Sequence, residues 1–216
     1  MRVREMDPRA IVAFFPSDHH FADDEAFVAH IDSTFAVAAS RPGCVIFLGI
    51  SPESPEVEYG WIEPGAILMS QHRGAVYQVS RFWEKPSAAL ASVFMDRGCL
   101  WNSFVMVGHG YAFLSLIADA LPRLAESFER IEPSFLTAAE RKALCDLYSE
   151  IDAANFPQQV LSTHPHALGV LCGRGLGWSD LREPSRVFSV LERKGIKTEW
   201  GFDWKRSGVP APEEAA

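Results

Sequence analysis

The stretch "AIVAFFPSDHHFADDEAFVAHIDSTFAVAASRPGCVIFLGI", residues 10–50, decides the fold class of this chain. It opens with a continuous apolar run at residues 10–15 and closes with another at residues 44–50. Such runs are typical of strands that helices cover on both faces of a sheet. We therefore predict two buried strands, one at each end of the stretch.

The middle of the same stretch predicts a helix. Asp23 or Asp24 can cap its first turn, and "RPG" at residues 41–43 ends it. Between these signals, apolar side chains recur at helical spacing at Phe27, Ile31, Phe35 and Ala38. A strand, a helix and a strand in this order are the signature of an α/β unit, with a right-handed crossover if the strands are parallel.

The rest of the chain adds strands and helices to this unit. Strands are predicted at residues 74–83, 103–108 and 167–173. A short helix is predicted from the apolar residues Leu90, Val93 and Phe94. These elements predict an α/β fold with a mixed, mostly parallel sheet flanked by helices and a helical C-terminal part.

Two helices of the second half have recognisable ends. Thr137 and Glu140 form a capping-box pattern at the start of one helix. Pro184 stands at a favoured first helical position, and Gly195 closes that last helix. The helix between Pro184 and Gly195 faces the core through Val187, Val190 and Leu191.

Composition excludes several classes of function. The chain has 216 residues, 48% of them hydrophobic, and can bury a substantial core. Its net charge of −8 argues against nucleic-acid binding, which requires a basic surface. The chain has no apolar run of about 18 residues, and its start, "MRVREMDPR", lacks the apolar stretch of a signal peptide, so we expect a cytoplasmic protein that does not enter a membrane.

Polar side chains follow three of the predicted strands or turns. Asp18 comes after the first strand, Glu84 and Lys85 end the strand at residues 74–83, and Asp180 follows the glycine-rich turn at residues 173–178. The carboxyl ends of strands are where α/β proteins usually bind ligands. Carboxylates suit Mg²⁺ and a lysine suits a phosphate. For Asp18 alone, capping of the next helix is an equally good explanation.

Other site chemistries find little support. His19-His20 and "HPH" at residues 164–166 lack the helical spacing of zinc ligands. There is no G-x-S-x-G elbow, no G-x-G-x-x-G and no Walker sequence. The four cysteines lie far apart without a C-x-x-C pair, and we expect them to be reduced and buried: Cys44, Cys99, Cys145 and Cys172.

Four segments resemble the motifs of one family, and they occur in the family's order. They read "PSDHHFADDEAF", "LGISPESPEVEYGWIEPG", "VSRFWEKPSAALASVFMDRGCLWNS" and "GLGWSDL". The sugar-phosphate nucleotidyltransferases carry P-A/S-D-H, P-E-T-G-Y-G-Y-I, F-x-E-K-P, L-W-N-S-G and W-x-D-x-G-S/T. The resemblance extends from about residue 10 to residue 194, and the branch it resembles most is that of the mannose-1-phosphate guanylyltransferases.

The resemblance implies a fold and a reaction. It implies a nucleotide-diphospho-sugar transferase-like domain over residues 1–200 that lacks its first βα units, with a disordered tail at residues 201–216. In the reaction, mannose-1-phosphate attacks the α-phosphorus of GTP, and GDP-mannose and pyrophosphate form with the help of Mg²⁺. Such a reaction is accelerated by positioning and charge neutralisation.

The resemblance also implies roles for individual residues. In the sugar site, Glu84 accepts hydrogen bonds from hydroxyl groups, Asn102 contacts the sugar from the other side, and Lys85 holds its phosphate. Tyr59 and Gly60 belong to the same site, and Gly60 lets the backbone approach the sugar. At the reacting phosphates, Asp18 and Asp180 hold Mg²⁺ and, with Lys85, form the catalytic set. We therefore predict that Asp18 and Asp180 lie close together, and that Lys85 points into the sugar pocket and away from any surface carboxylate.

The sequence also departs from the family patterns. Val57-Glu58 stands where Thr-Gly is usual, Phe104 stands at a glycine, and "DLRE" at residues 180–183 replaces D-x-G-S/T. A glycine-rich G-G-x-G-S/T-R-L loop does not occur in the 216 residues. We therefore expect the isolated chain to make no GDP-mannose at a measurable rate. Three alternatives stay open: a nucleotidyltransferase that binds GTP once a partner or an upstream segment supplies the loop, a non-catalytic sugar-phosphate-binding remnant or regulatory subunit that pairs with an intact homologue, and an unstable truncation product. A homo-oligomer and a hetero-oligomer are both open as well.

Overall fold

The computed structural model describes residues 1–71 and 74–196. They form two compact units, which we call the sheet unit and the small unit. The sheet unit comprises Met1–Phe15 and Glu25–Gly175, and the small unit comprises Pro16–Asp24 and the described residues from Leu176 onward. The tail predicted at residues 201–216 lies outside the described residues.

The elements follow one another along the chain as strands β1–β8 and helices α1–α7. The strands are β1 Ile11–Phe14, β2 His19–His20, β3 Val45–Ile50, β4 Gly60–Gln71, β5 Gly74–Glu84, β6 Leu100–His109, β7 Leu168–Gly173 and β8 Ser179–Asp180. The helices are α1 Arg2–Met6, α2 Asp24–Ser40, α3 Ala88–Asp96, α4 Gly110–Ala120, α5 Pro122–Ile131, α6 Glu140–Glu150 and α7 Pro184–Arg193. Short helical turns occupy Glu132–Ser134, Pro157–Leu161 and Pro165–Ala167.

One six-stranded sheet organises the sheet unit, in the order β1-β6-β3-β7-β5-β4, and β4 also pairs with β6. The α/β class and the mixed sheet are confirmed. The balance of pairings differs from the prediction, because only β3 and β7 pair in parallel and the other five described pairings of this sheet are antiparallel. The reason is that β6 runs opposite to β1, β3 and β4, and that β5 runs opposite to β4 and β7.

The core lies around the centre of this sheet. Every residue of β3 is buried, as are most residues of β7, as their continuous apolar runs predicted. The first run was predicted to be buried as well, but β1 is only half-buried, and Phe14 and Phe15 are exposed. Among the described strands β1 pairs only with β6, which makes it an edge strand.

Two strands differ from their predicted extent. The long strand β4 was missed, because Pro64-Gly65 interrupts its apolar pattern and shifts its register against β5. Strand β6 begins at Leu100, so "WNS" belongs to the strand itself. In α3, Ser87 accepts a hydrogen bond from the Leu90 backbone N–H, and Phe94 is buried while Leu90 and Val93 are exposed.

The helix ends of the second half were predicted with mixed success. Helix α6 begins at Glu140, and Thr137 lies before it and accepts from the Ala139 N–H. Glu140 Oε2 accepts from the Leu136 N–H at 3.0 Å, so the predicted reciprocal box is not formed. For α7 the prediction is confirmed: Pro184 is its first residue and Gly195 follows it with φ +67°.

The four cysteine thiols are free, but they differ in burial. Cys99 is buried, Cys44 and Cys172 are half-buried, and Cys145 is exposed, contrary to the prediction that all four are buried. Burial raises the pKa of Cys44 and of Cys99 to about 11, so neither thiol is a nucleophile at neutral pH.

Across residues 1–71 and 74–196, no helix combines the length and the apolarity that crossing a membrane requires.

Candidate functional site

The predicted sugar-site residues come together where three strands of the sheet unit meet. Gly60, at the start of β4, pairs with Glu84, at the end of β5. The next residue of β4, Trp61, pairs with Trp83 on β5 and with Trp101 on β6. This double pairing brings the end of β5 and the first half of β6 to opposite sides of the start of β4.

Gly60 lies where a larger residue would collide with three side chains. A Cβ atom at this position would lie 3.1 Å from Glu84 Oε2, 3.2 Å from Phe82 Cζ and 3.4 Å from Asn102 Cβ. The first distance is tighter than most Cβ contacts in proteins. The glycine therefore lets these three side chains lie close to the backbone of β4.

A bulge in β6 orients Asn102. The register between β3 and β6 shifts between Phe47 and Gly49, and on the other strand Phe104 has φ +54°. Its backbone N–H donates to Asn102 Oδ1 at 2.9 Å. The Ser103 hydroxyl donates to the Leu48 carbonyl at 2.5 Å, so this side chain satisfies a β3 carbonyl where the backbone pairing between β3 and β6 is interrupted. Bulges of this kind often redirect side chains beside functional sites.

The orientation of Asn102 leaves a buried donor. Since Oδ1 accepts from Phe104, the amide nitrogen Nδ2 must point the other way. Asn102 is 3% exposed, and Nδ2 has no hydrogen-bond partner within residues 1–71 and 74–196. A buried donor without an acceptor costs about 1–3 kcal/mol. A ligand oxygen at this position would remove that cost.

The left-handed backbone of Phe104, with φ +54°, is a conformation that suits a glycine, and the family pattern has a glycine at this position. A left-handed backbone costs a residue with a Cβ about 1–2 kcal/mol. The side chain of Phe104 packs against the core cluster that contains Phe47 and Phe82, and this burial offsets the cost. The site therefore keeps the backbone shape that the glycine would give.

Tyr59 forms part of the wall beside these residues. It is buried, and its ring meets Trp101 edge-to-face with centroids 5.1 Å apart. Trp101 in turn contacts Trp61. Tyr59 therefore lies next to Gly60 in an aromatic cluster that holds the start of β4 against β6.

Lys85 lies at the same end of β5 but has a different partner. Its ammonium nitrogen is 3.3 Å from Glu58 Oε2. The two side chains are 56% and 62% exposed, so the pair is a surface ion pair. We predicted that Lys85 points away from any surface carboxylate, and this prediction is wrong. The carboxylate belongs to Glu58, which stands where the family pattern has the first of its two glycines.

The two predicted metal aspartates both lie in the small unit, where β2 and β8 form a short antiparallel ladder. His19 pairs with Asp180, and the Leu181 N–H donates to the Asp18 carbonyl at 2.8 Å. Their backbones are therefore adjacent. Their side chains differ, because that of Asp18 is 42% exposed and that of Asp180 is 2% exposed.

Asp180 is held by Arg182, which stands where the family pattern has a glycine. The Arg182 guanidinium donates to both carboxylate oxygens, through Nε at 3.1 Å and 2.8 Å and through Nη2 to Oδ2. Burial raises the pKa of Asp180, but the hydrogen bonds and the charge of Arg182 outweigh it and hold the pKa below its ordinary value. Asp180 is therefore a carboxylate at neutral pH.

His19 was considered only as a zinc ligand, but it has structural partners in the small unit. The Trp178 indole N–H donates to His19 Nδ1 at 3.2 Å, and the two rings meet edge-to-face. Its Nε2 is 3.9 Å from Asp18 Oδ1. No short sequence signal would have identified this contact, because Trp178 and His19 are 159 positions apart.

The small unit fits a Mg²⁺ ion poorly. Both oxygens of Asp180 already accept from Arg182. In the part of the chain that the structure describes, no group of three or more His, Cys, Asp and Glu side chains is arranged to hold a metal. The assignment of Mg²⁺ to Asp18 and Asp180 therefore stays a prediction.

A separate cavity of about 460 Å³ lies elsewhere in the sheet unit. It is lined mainly by apolar side chains of α4, α5 and α6 and by the N-terminal residues of α1. None of the predicted site residues contributes to it. The candidate site is therefore defined by convergent polar groups at strand ends and not by this cavity.

Comparisons with known proteins agree with the motif order. The family described as "Nucleotidyl transferase" matches residues 3–189. The xanthan biosynthesis protein XanB of Xanthomonas campestris pv. campestris strain B100 is 29% identical over 191 residues, which are 88% of this chain and 38% of that protein. The mannose-1-phosphate guanylyltransferase of Escherichia coli K12 is 25% identical over 193 residues, 86% of this chain and 38% of that enzyme.

Solved structures share the fold. A crystal structure described as mannose-1-phosphate geranyltransferase from Thermus thermophilus matches with a TM-score of 0.72 and 25% identity, over 91% of this chain and 53% of that one. A mannose-6-phosphate isomerase structure from Helicobacter pylori matches at 22% identity with a TM-score of 0.65, over 83% of this chain and 68% of that one, and shows the fold alone. The chain spans 38% of the length of the two curated relatives above.

Proposed function

This chain belongs to the nucleotidyl transferase family, and on that premise we propose that it binds a sugar 1-phosphate, of the mannose-1-phosphate class, between Gly60, Glu84 and Asn102. The observation that carries the proposal is the buried Nδ2 of Asn102, which has no acceptor among the described residues. Asn102 lies beside Gly60, with its Cβ 3.4 Å from the place that a Cβ of residue 60 would take. A sugar hydroxyl oxygen can accept from this donor.

Each residue has a physical task in this proposal. Asn102 Nδ2 donates to one hydroxyl oxygen of the sugar, and the Glu84 carboxylate accepts from the hydroxyl hydrogens of a neighbouring pair. Gly60 allows the ring to approach the backbone of β4. Lys85 approaches the phosphate only by leaving Glu58, from which its ammonium is now 3.3 Å away.

The reaction that we propose for the family site is nucleotidyl transfer. A phosphate oxygen of the sugar 1-phosphate attacks the α-phosphorus of a nucleoside triphosphate, GTP by analogy with the guanylyltransferase relatives. A new P–O bond forms, the bond between the α-phosphorus and its bridging oxygen breaks, and pyrophosphate leaves. The residues of the sugar site act by holding the attacking group in place.

A second candidate function is binding of the sugar phosphate without turnover, as in a regulatory subunit. One observation favours it: the Lys85 ammonium is paired with the Glu58 carboxylate. A carboxylate beside the phosphate position repels a dianion. It would therefore weaken binding of the charged group that the reaction needs most.

Calorimetric titration with mannose-1-phosphate tests the proposal. Mannose and inorganic phosphate are the comparison ligands, and we expect mannose-1-phosphate to bind more tightly than either. Gly60→Ala should weaken its binding, whereas Gly43→Ala serves as the control because a Cβ there meets nothing within 4 Å. Equal binding by Gly60→Ala and the unaltered chain would refute the site.

Pyrophosphate release with GTP and mannose-1-phosphate then separates the two candidates. Binding with release supports transfer. Binding without release supports the non-catalytic role. Absence of sugar-phosphate binding refutes both.

The ion pair yields a prediction of its own. Glu58→Gln should bind mannose-1-phosphate about two- to fivefold more tightly at low salt, since exposed ion pairs are worth little. The gain should shrink as salt screens the charges. Glu53→Gln, an equal change of charge at an exposed position in the same loop, is the matched control. Equal gains in both variants would mean that net charge, and not the pairing with Lys85, sets the affinity.

A further inference from the structure

The carboxylate oxygens of Asp180 accept all of their described hydrogen bonds from Arg182. A carboxylate has two oxygens and about four lone-pair sites. Oδ1 receives the Arg182 backbone N–H at 2.9 Å and Nε at 3.1 Å. Oδ2 receives Nε at 2.8 Å and Nη2. All of these contacts come from one residue two positions along the chain, so they need no distant element to form.

We infer that Arg182 is the resident cation of the Asp180 site and occupies the place that a divalent metal ion would otherwise take. A metal ion would have to break both oxygen contacts before it could bind. Asp180 is 1% exposed, so the oxygens offer no open face to solvent. Mg²⁺ keeps several of its waters and demands a near-octahedral set of ligands. The guanidinium satisfies the same negative charge with a planar, bidentate geometry that suits carboxylates.

The second carboxylate does not replace the first as a metal ligand. The side chain of Asp18 is 42% exposed, and Nε2 of the His19 ring lies 3.9 Å from its Oδ1. A single exposed carboxylate binds divalent ions weakly, since Mg²⁺ sites use one or two carboxylates together with substrate phosphates. Asp18 alone therefore does not make a strong site for a divalent ion.

Binding of Mn²⁺ to the full 216-residue chain tests the inference, because bound and free Mn²⁺ differ in their electron paramagnetic resonance signals. The unaltered chain should bind Mn²⁺ only weakly. Arg182→Ala should bind one Mn²⁺ with a dissociation constant at least roughly tenfold lower, because it leaves a buried carboxylate without a cation. The double variant D180N/R182A should lose this gain. The readout does not involve sugar phosphate, so it can fail or succeed independently of the proposed function.

Two further outcomes complete the test. If Arg182→Ala does not fold alone, refolding on addition of Mn²⁺ supports the inference, and failure to refold with Mn²⁺ overturns it. In the unaltered chain, the amide signals of residues 18–20 and 179–182 should not be selectively broadened by Mn²⁺. Selective broadening there would show that the metal displaces the guanidinium, and equal Mn²⁺ affinity in the unaltered chain and Arg182→Ala would show that Arg182 does not exclude the metal. Either result would overturn the inference.

Discussion

Replacing Gly177 with alanine is expected to destabilise the small unit by about 2–5 kcal/mol, as the sum of two costs. The first is a left-handed backbone, since Gly177 has φ +57°. The second is a collision, because the added Cβ would lie 2.5 Å from the Cβ of Ala22. Ala22 cannot move away freely, because its backbone N–H donates to the Leu176 carbonyl at 2.9 Å.

Gly175→Ala is the matched control for this variant. Gly175 has φ +67°, but a Cβ there meets nothing within 4 Å. It should therefore cost only the conformational term of about 1–2 kcal/mol. Hydrogen exchange measured on peptides covering residues 16–24 and 176–190 reports on the small unit directly. If the two variants lose protection equally, the predicted contact with Ala22 does not contribute to stability.

Asn102→Asp is expected to weaken binding of mannose-1-phosphate by about tenfold or more, since the loss of a buried donor to a ligand costs roughly 1–3 kcal/mol. The substitution keeps the oxygen that accepts from the Phe104 N–H at 2.9 Å, so the bulge should persist. It replaces Nδ2 with an oxygen and adds a negative charge close to Glu84. Titration calorimetry at about pH 8, where a carboxyl group is ionised, measures the effect.

Asn155→Asp controls for the change of residue type. Asn155 is exposed, and its Oδ1 also accepts a backbone N–H, that of Gln158, at 2.9 Å. Its replacement should leave both binding and the melting temperature nearly unchanged. Unchanged binding in Asn102→Asp, with the fold intact by circular dichroism, would mean that Nδ2 does not contact the ligand.

Local sequence patterns were sufficient for the centre of the fold. The runs at residues 44–50 and 167–173 became β3 and β7 because nearly every side chain of a central strand is buried. The end of α7 was likewise predictable, since Pro184 and Gly195 act through their own backbone conformations. The edge position of β1 was not predictable, because the burial of a strand depends on which neighbours it pairs with.

The order of motifs was sufficient to nominate the site residues, which stay predictions. It also identified the family, which the match over residues 3–189 confirms. It identified Gly60, Glu84 and Asn102, which the sheet then brings together through the pairings of β4 with β5 and β6. A motif specifies which residue types are present. It cannot specify the register that makes them neighbours, since register is set by contacts between distant strands.

The sequence by itself therefore determined the α/β class, the central strands and the candidate residues. Only the tertiary structure decided what each candidate side chain contacts. Lys85 pairs with Glu58, and Asp180 pairs with Arg182. The side-chain oxygen of Asn102 accepts a hydrogen bond from the backbone N–H of Phe104 at the bulge. The physical reason is that charge pairing and hydrogen bonding act over about 3 Å. At that range, a shift of one residue in register or the rotation of one side chain changes the partner, and a linear pattern records neither.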